Sequence, residues 1–329
     1  MRVLVLGGNR YIGLSLVREL ANRGHEVTVA NSHPVVLPEG VRRIHVDRRQ
    51  DGAARAALAG SARAFDAVFD NTAYEVPDVA PLVELFDGHV AHYVFTSSVA
   101  VYRRSFVQPV TETFRVHNEV ADQPLRAYGV GKVRCERYLF ERHRSTGFPA
   151  TSIRVTHTVG PRSPLASRDS SFFARLEAGR PILIPGEGFP FIHPIHIDDV
   201  ARLLVSLLGN PRAVGESYNA AGAEVTSILG CVHLMARAVG VEPNVVHVPL
   251  ELVRLLGQPL VHWGEAIAGG TVFSIAKALE HLDWCPRIGL KEAYRDSYRW
   301  FAAGGRDQYE FDFSFDDHVL ARLEAKDTR

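Results

Sequence analysis

At 329 residues, 46% of them apolar and 22% charged, the chain has the make-up of a globular enzyme and excludes a disordered one. Lysine plus arginine equals aspartate plus glutamate, 37 against 37, so no general field draws in nucleic acid or an anionic membrane. Cys135, Cys231 and Cys285 are too few and too scattered for a disulfide framework, and no run approaches the roughly 20 apolar residues of a membrane span; a soluble, cytoplasmic protein without a signal peptide is expected.

The first half alternates short β-branched runs with helical spacing. Val3-Leu4-Val5-Leu6 reads as a buried strand, and Ile12, Leu16 and Leu20 then recur on one helical face. Further strands are read at residues 27–30, 43–46, 67–69, 92–95 and 151–155, with a helix from about 127 to 144 before the last of them. Continuous apolar strands alternating with helices predict a parallel sheet covered on both faces, hence a doubly wound α/β fold over residues 1–158. After Gly160-Pro161 the alternation is lost and glycine and proline become frequent. Residues 159–194 and 221–329 are therefore assigned to a smaller substrate lobe, with a segment near 195–220 returning to the main sheet. The end, from 308 to 329, reads as an extension packed on the surface.

Gly7-Gly8-Asn9-Arg10-Tyr11-Ile12-Gly13 lies between the first strand and the first helix. Glycine there permits a tight turn, close approach to a diphosphate and helix-on-strand packing, while the helix N-terminus offers oriented N–H groups. Arg10 stands where a third glycine is usual. It is either a solvated arginine or a guanidinium suited to an adenosine 2′-phosphate. The second strand ends in Asn31-Ser32-His33 with no carboxylate to repel such a phosphate, so NADP is expected, with NAD as the alternative. Asp47, after the third strand, is either an acceptor for the adenine amino group or a plain loop carboxylate.

Thr96-Ser97-Ser98 follows the fifth strand at the carboxyl edge, where ligands bind in open α/β sheets. Tyr128 and Lys132 are four apart, on one face of a helix, and a nearby ammonium favours the phenolate that a tyrosine needs to act as a base. Gly129 and Gly131 each cost that helix about 1 kcal/mol relative to alanine, which predicts that another surface, the cofactor or a partner helix, approaches its backbone. Val130, Val133, Tyr138 and Leu139 offer apolar surface to such a partner, and a homodimer is expected. His193 and His196 have Pro194 between them and no third ligand nearby, so no metal is expected; His196 reads as a packed histidine beside Asp198-Asp199.

In this order the motifs resemble the extended short-chain dehydrogenase/reductases, the NAD-dependent epimerase/dehydratase family. The resemblance spans Gly7 to Gly13, Ser97-Ser98-Val99-Ala100-Val101-Tyr102, Tyr128 to Lys132, Ile153-Arg154, Gly186-Glu187-Gly188, His196 to Ala201 and Tyr218-Asn219. The glycine loop and Asp70-Asn71-Thr72-Ala73-Tyr74 look most like the branch containing the chloroplast stem-loop RNA-binding proteins. The resemblance implies a Rossmann domain and a nicotinamide-dependent oxidoreductase or epimerase acting on a small polar molecule. It also implies that Ser98 orients the reacting oxygen, Tyr128 is the acid/base, and Lys132 holds the nicotinamide ribose. Cofactor contacts are then expected from Gly7, Asn9, Arg10, Tyr11, Ile12 and Gly13, from Asn31 and Ser32, and from Asp47 and Arg48. Asn71, Thr72, Ala73 and Thr96 complete that set together with Tyr128 and Lys132. Substrate contacts are expected from Tyr74, Ser98, Val99, His157, Arg162 and His193. Three positions depart from sugar-nucleotide members of the family. His157 replaces an asparagine, Ile192-His193 replace Arg-Asp, and Val99 replaces the acid that dehydratases use. A reductase or epimerase acting on a secondary alcohol or ketone of a polar, sugar-like substrate, not a dehydratase, is the expectation; the alternatives are a non-catalytic relative that binds RNA or senses NADP, and a nucleotide-sugar 4-epimerase.

Overall fold

The computed structural model describes residues 1–48, 50, 52–117, 124–165, 168–257, 260 and 270–327. It divides into two compact units. The first comprises Met1–Thr158, Ile197–Ala221 and Phe273–Arg287; the second comprises Val159–His196, Gly222–Val272 and Ile288–Arg329.

The first unit is built on seven parallel strands: β1 (Arg2–Leu6), β2 (Glu26–Asn31), β3 (Arg42–His45), β4 (Ala67–Asp70), β5 (His92–Ser98), β6 (Ala150–Val155) and β7 (Ser217–Ala220). Their order is β3-β2-β1-β4-β5-β6-β7, with every pairing parallel. Its helices are α1 (Tyr11–Asn22), α2 (Ala53–Leu58), α3 (Val76–Phe86), α4 (Pro124–Thr146), α5 (Ile197–Ser206) and the short α6 (Ala276–His281). Because side chains alternate along a strand, β1 buries both of its faces. Leu4 and Leu6 join Val68, Tyr93 and Phe95 in a core with Leu82, Val83 and Phe86 of α3 and Leu139 of α4. Val3 and Val5 are equally buried on the other side, where α1 packs against α5. This is the doubly wound, Rossmann-type arrangement read from the alternation of elements. Among the described residues no helix is long and apolar enough to cross a membrane.

Two readings change. The segment Phe273–Arg287, placed by sequence in the lobe, belongs to the first unit. It satisfies polar groups there: Asn219 Nδ2 on β7 donates to the Ser274 carbonyl at 3.1 Å, and the Trp284 indole and Arg287 N–H both donate to Asp199 at the start of α5. Val130, Val133 and Leu139, expected to face a partner, are at most 2% exposed. Val133 and Leu139 pack into this unit's own core, because α4 lies directly on the sheet and on the turn after β5.

The second unit gathers helices Asp169–Glu177, Ile228–Val239 and Leu290–Ala302 around Phe172, Phe173, Tyr294 and Phe301. A parallel pair, Ile182–Pro185 with Val245–Val248, and an antiparallel pair, Phe191–Ile192 with Thr226–Ser227, complete it. The carboxyl-terminal extension is largely the helix Ser314–Asp327, tied down by Arg175 on Asp316 at 2.6 Å and by Arg180 on Asp317.

Candidate active site

The carboxyl ends of β1, β2, β4 and β5 bring most of the expected residues together. Gly7 has φ of +80°, a left-handed conformation that glycine adopts without strain, and a Cβ on it would strike the Thr72 side chain. Gly13 sits on the Gly7 carbonyl, so α1 begins directly over the loop. The α1 N-terminus has no side-chain cap and no acid in its first turn, which leaves its N–H groups for an anion. Asn9 and Ile12 flank the turn half-buried, and Arg10 is exposed with no partner among the described residues. Tyr11 is turned inward. Its buried phenol donates to the Thr158 carbonyl at 2.7 Å, so any cofactor contact it makes comes from its backbone.

At the end of β2, Asn31 is 6% exposed. Its Oδ1 accepts from Arg43 Nε at 2.7 Å, while its buried Nδ2 has no partner among the described residues. Arg43 escaped the sequence reading. It reaches Asn31 because β3 pairs with β2 in a register that sets Arg43 beside Val29 and His45 beside Asn31. Ser32 bonds its neighbour His33 at 2.8 Å, and Asp47 is partly buried in the loop after β3. Arg48 is engaged elsewhere. Both terminal nitrogens are forked onto the Asp70 carboxylate at 2.5 and 2.6 Å, which leaves its side chain occupied within the protein and not aimed at a phosphate.

After β4, the Asn71 Oδ1 accepts from Thr96 at 2.6 Å, and its buried Nδ2 has no partner among the described residues; the Ser97 hydroxyl on β5 is in the same condition. Buried donors left without acceptors cost about 1–3 kcal/mol each. Lone donors at the ends of β2, β4 and β5, together with the glycine cradle, fit a dinucleotide laid across these strand ends.

The catalytic candidates converge around one turn. Ser98 caps the turn Val99–Val101 by accepting the Ala100 N–H at 3.2 Å, and its own proton stays available to donate. A Cβ on Gly129 would land on the Ala100 carbonyl oxygen, and one on Gly131 would land on the Tyr74 carbonyl. The close approach read from these glycines is therefore present, but the approaching surface is the chain's own backbone, not a cofactor or a partner helix. It draws Tyr128 toward the Ser98 turn. Tyr128 is 46% exposed, its ring 6.0 Å from that of Tyr74.

Lys132 is 3% exposed and donates to the Ala73 and Thr96 carbonyls at 2.7 and 2.8 Å. Its Nζ also lies 4.7 Å from the Phe95 ring centre, 4.8 Å from that of Tyr74 and 5.9 Å from that of Tyr128. Burial pushes the ammonium down to about 8, against the opposing pull of Asp70 and Cys135. Val99 is partly buried in the capped turn, and His157 is partly buried just after β6.

Arg162 and His193 belong to the second unit. Arg162 adopts a positive φ of 65°. The buried His193 donates from Nε2 to the Gly222 carbonyl at 2.8 Å; burial lowers its pKa, against the opposing effect of that hydrogen bond. His196 is buried with Nε2 3.9 Å from Asp296.

Comparison with known proteins gives the family and the fold. The chain is 30% identical to the chloroplast stem-loop binding protein of 41 kDa b of Arabidopsis thaliana, over 98% of this chain and 84% of that one. It is also 30% identical to 2′-dehydrokanamycin reductase of Streptomyces kanamyceticus, over 76% of this chain and 70% of the enzyme. Its fold matches that of UDP-glucose 4-epimerase from Thermotoga maritima with a TM-score of 0.76 at 20% identity, covering 92% of this chain and 99% of the epimerase. The profile of the NAD dependent epimerase/dehydratase family matches residues 3–221, a stretch that contains the glycine loop, Ser98, Tyr128 and Lys132, and the chain belongs to that family.

Proposed function

We propose that the protein is an NADP-dependent reductase of a ketone on a polar, sugar-like molecule that carries no nucleotide. The observation that carries this reading is the buried Lys132 ammonium, held by two carbonyls beside the Tyr128 ring and close to the turn capped by Ser98. A bound nicotinamide supplies the hydride. The protein's part is to bind, orient and move a proton. Ser98 donates a hydrogen bond to the carbonyl oxygen, Tyr128 gives its proton as charge grows on that oxygen, and the adjacent Lys132 charge stabilises the phenolate left behind. The same residues run in reverse serve oxidation, so an epimerase that oxidises and re-reduces one carbon uses the same set. Reduction is preferred because a relative of 30% identity is a reductase whose named substrate is not a sugar nucleotide. His157 and the buried Ile192 also stand where sugar-nucleotide members of the family carry diphosphate donors, and Val99 stands where dehydratases carry an acid.

NADP is supported by the exposed Arg10 guanidinium, the neutral Asn31, and the second guanidinium that Arg43 brings to Asn31. A homodimer remains part of the proposal, with the half-buried Tyr138 of α4 kept as a contact and the buried Val130, Val133 and Leu139 withdrawn from it.

The test is a panel of sugar ketones, free and nucleotide-linked, followed by NADPH absorbance, with Tyr128→Phe alongside. We expect turnover on a free keto sugar and a fall of about two or more orders of magnitude in the variant. Undiminished turnover by Tyr128→Phe removes the assignment. The name of the plant relative favours one other reading, binding of RNA stem-loops. Affinity for a stem-loop that falls steeply with salt supports it; weak, salt-insensitive binding, expected of a chain with no net charge, does not.

A further inference from the structure

Asp70 closes β4 and is entirely buried. Its carboxylate collects five donors: the two terminal nitrogens of Arg48, the Tyr93 hydroxyl at 2.7 Å, and the backbone N–H groups of Thr72 and Ala73, each at 3.2 Å. Arg48 also donates to Thr72 Oγ1 at 2.9 Å and to the Asp78 carbonyl at 2.6 Å. The turn after β4 is thus gripped from inside, and Ala73 faces both ways. Its N–H is held by Asp70, and its carbonyl holds the Lys132 ammonium.

A buried ion pair is weak evidence of stabilisation, since apolar replacements often fold as well. One whose carboxylate collects five donors, and which stands one residue from a buried active-site ammonium, calls for another account. We propose that Arg48 and Asp70 are positioning residues for Lys132, fixing the turn from which its ammonium hangs and supplying the paired charges against which that ammonium is balanced. This rests on reading Lys132 as the active-site cation. Asp70 and Arg48 approach from the sheet edge with the Tyr93 hydroxyl on Asp70, and Cys135 and Glu136 stand on α4 itself. Tyr74 and Tyr128 present ring faces. Glu136 is paired with Arg154 at 2.7 Å, which leaves Asp70 as the carboxylate whose charge is shared between Arg48 and Lys132. Burial works against the charge of Asp70, but Arg48 and the donors from Tyr93 and Thr72 hold its carboxyl below the usual carboxylate range.

The sequence makes the test clean, because it contains only four lysines: Lys132, Lys277, Lys291 and Lys326. Protein labelled with 13C-lysine therefore gives four side-chain signals to follow against pH, with Lys132→Arg identifying the one of interest. Asp70→Asn leaves Arg48 uncompensated and should lower the Lys132 midpoint by about one unit or more; Arg48→Gln should raise it by a similar amount. Arg48→Lys, which keeps the charge, and the double variant Asp70→Asn/Arg48→Gln should both return it toward wild type. A pair that merely stabilises the fold has no reason to move the midpoint in opposite directions. Midpoints unchanged within a few tenths, or moved the same way by both single variants, overturn the proposal. Should Asp70→Asn fail to fold, the rise with Arg48→Gln and its reversal by Arg48→Lys decide alone. The titration involves no turnover, so it and the catalytic reading tested by Tyr128→Phe can fail separately.

Discussion

Gly129 rests against the carbonyl oxygen of Ala100, closer than any side chain on that helix position would allow. The contact sets the helix that carries Tyr128 and Lys132 against the turn capped by Ser98.

Gly129→Ala is expected to destabilise the protein despite the better helix propensity of alanine. Propensity favours the change by about 1 kcal/mol, whereas forcing a methyl into backbone costs about 1–3 kcal/mol. A lower denaturant midpoint, together with lost turnover, is the expected result. Gly60→Ala is the control, since a Cβ there meets nothing within 4 Å, and it should be neutral.

Cofactor choice should divide between two arginines on different elements. Calorimetric titration of NADP and NAD onto wild type, Arg10→Ala and Arg43→Ala is the measurement. Each variant should weaken NADP by about tenfold while leaving NAD nearly unchanged, because the contact at stake is the 2′-phosphate. Equal losses for both cofactors would mean that these residues shape the loop and do not select the phosphate.

Lys132 gives the fold a defined pH dependence. Its pKa falls from 10.5 in the unfolded chain to about 8 in the folded protein, because burial penalises its charge. Between those values the unfolded chain holds the extra proton, so this group makes stability rise with pH, by about 3 kcal/mol in all. Lys132→Met lacks the effect. Relative to that variant, wild type should therefore gain stability from pH 8 to pH 10.5, measured by denaturant unfolding at each pH. A constant difference between the two would show that Lys132 is not held charged in a dry site.

Val133→Asp places a carboxylate in the core beside Val101, Tyr102 and Val110. The expected consequence is a melting temperature lower by many degrees and independent of protein concentration. Were Val133 instead at a dimer interface, the same change would leave a stable protomer and shift the mass seen by light scattering.

What the sequence displays are its local regularities: the period of each strand, the glycines after β1, the hydroxyls after β5, and the four-residue step from Tyr128 to Lys132. These report the backbone path and the residues at strand ends, and they were enough to indicate the doubly wound sheet. Pairings set by register and by long loops are not written there. Arg43 becomes a neighbour of Asn31 only through the alignment of β3 with β2, and Arg48 finds Asp70 across 22 positions of chain. The apolar residues of α4 read equally well as a partner's surface or as core, since periodicity marks a buried face without saying what buries it. The purpose of Gly129 was half legible in the same way. Glycine announces an approach but not the visitor.

The division of the first unit into three stretches of chain has a consequence for its synthesis. The last strand of the sheet is translated after the first stretch of the second unit, and the segment ending at Arg287 after its second stretch. A nascent chain that has just passed Thr158 therefore carries the glycine loop, Ser98, Tyr128 and Lys132 on a sheet with an open edge at β6. That exposed edge can accept a foreign strand until β7 emerges from the ribosome. Gene fragments cut at the apparent boundary near residue 158 would keep this unfinished edge permanently, and should aggregate where the full-length chain does not.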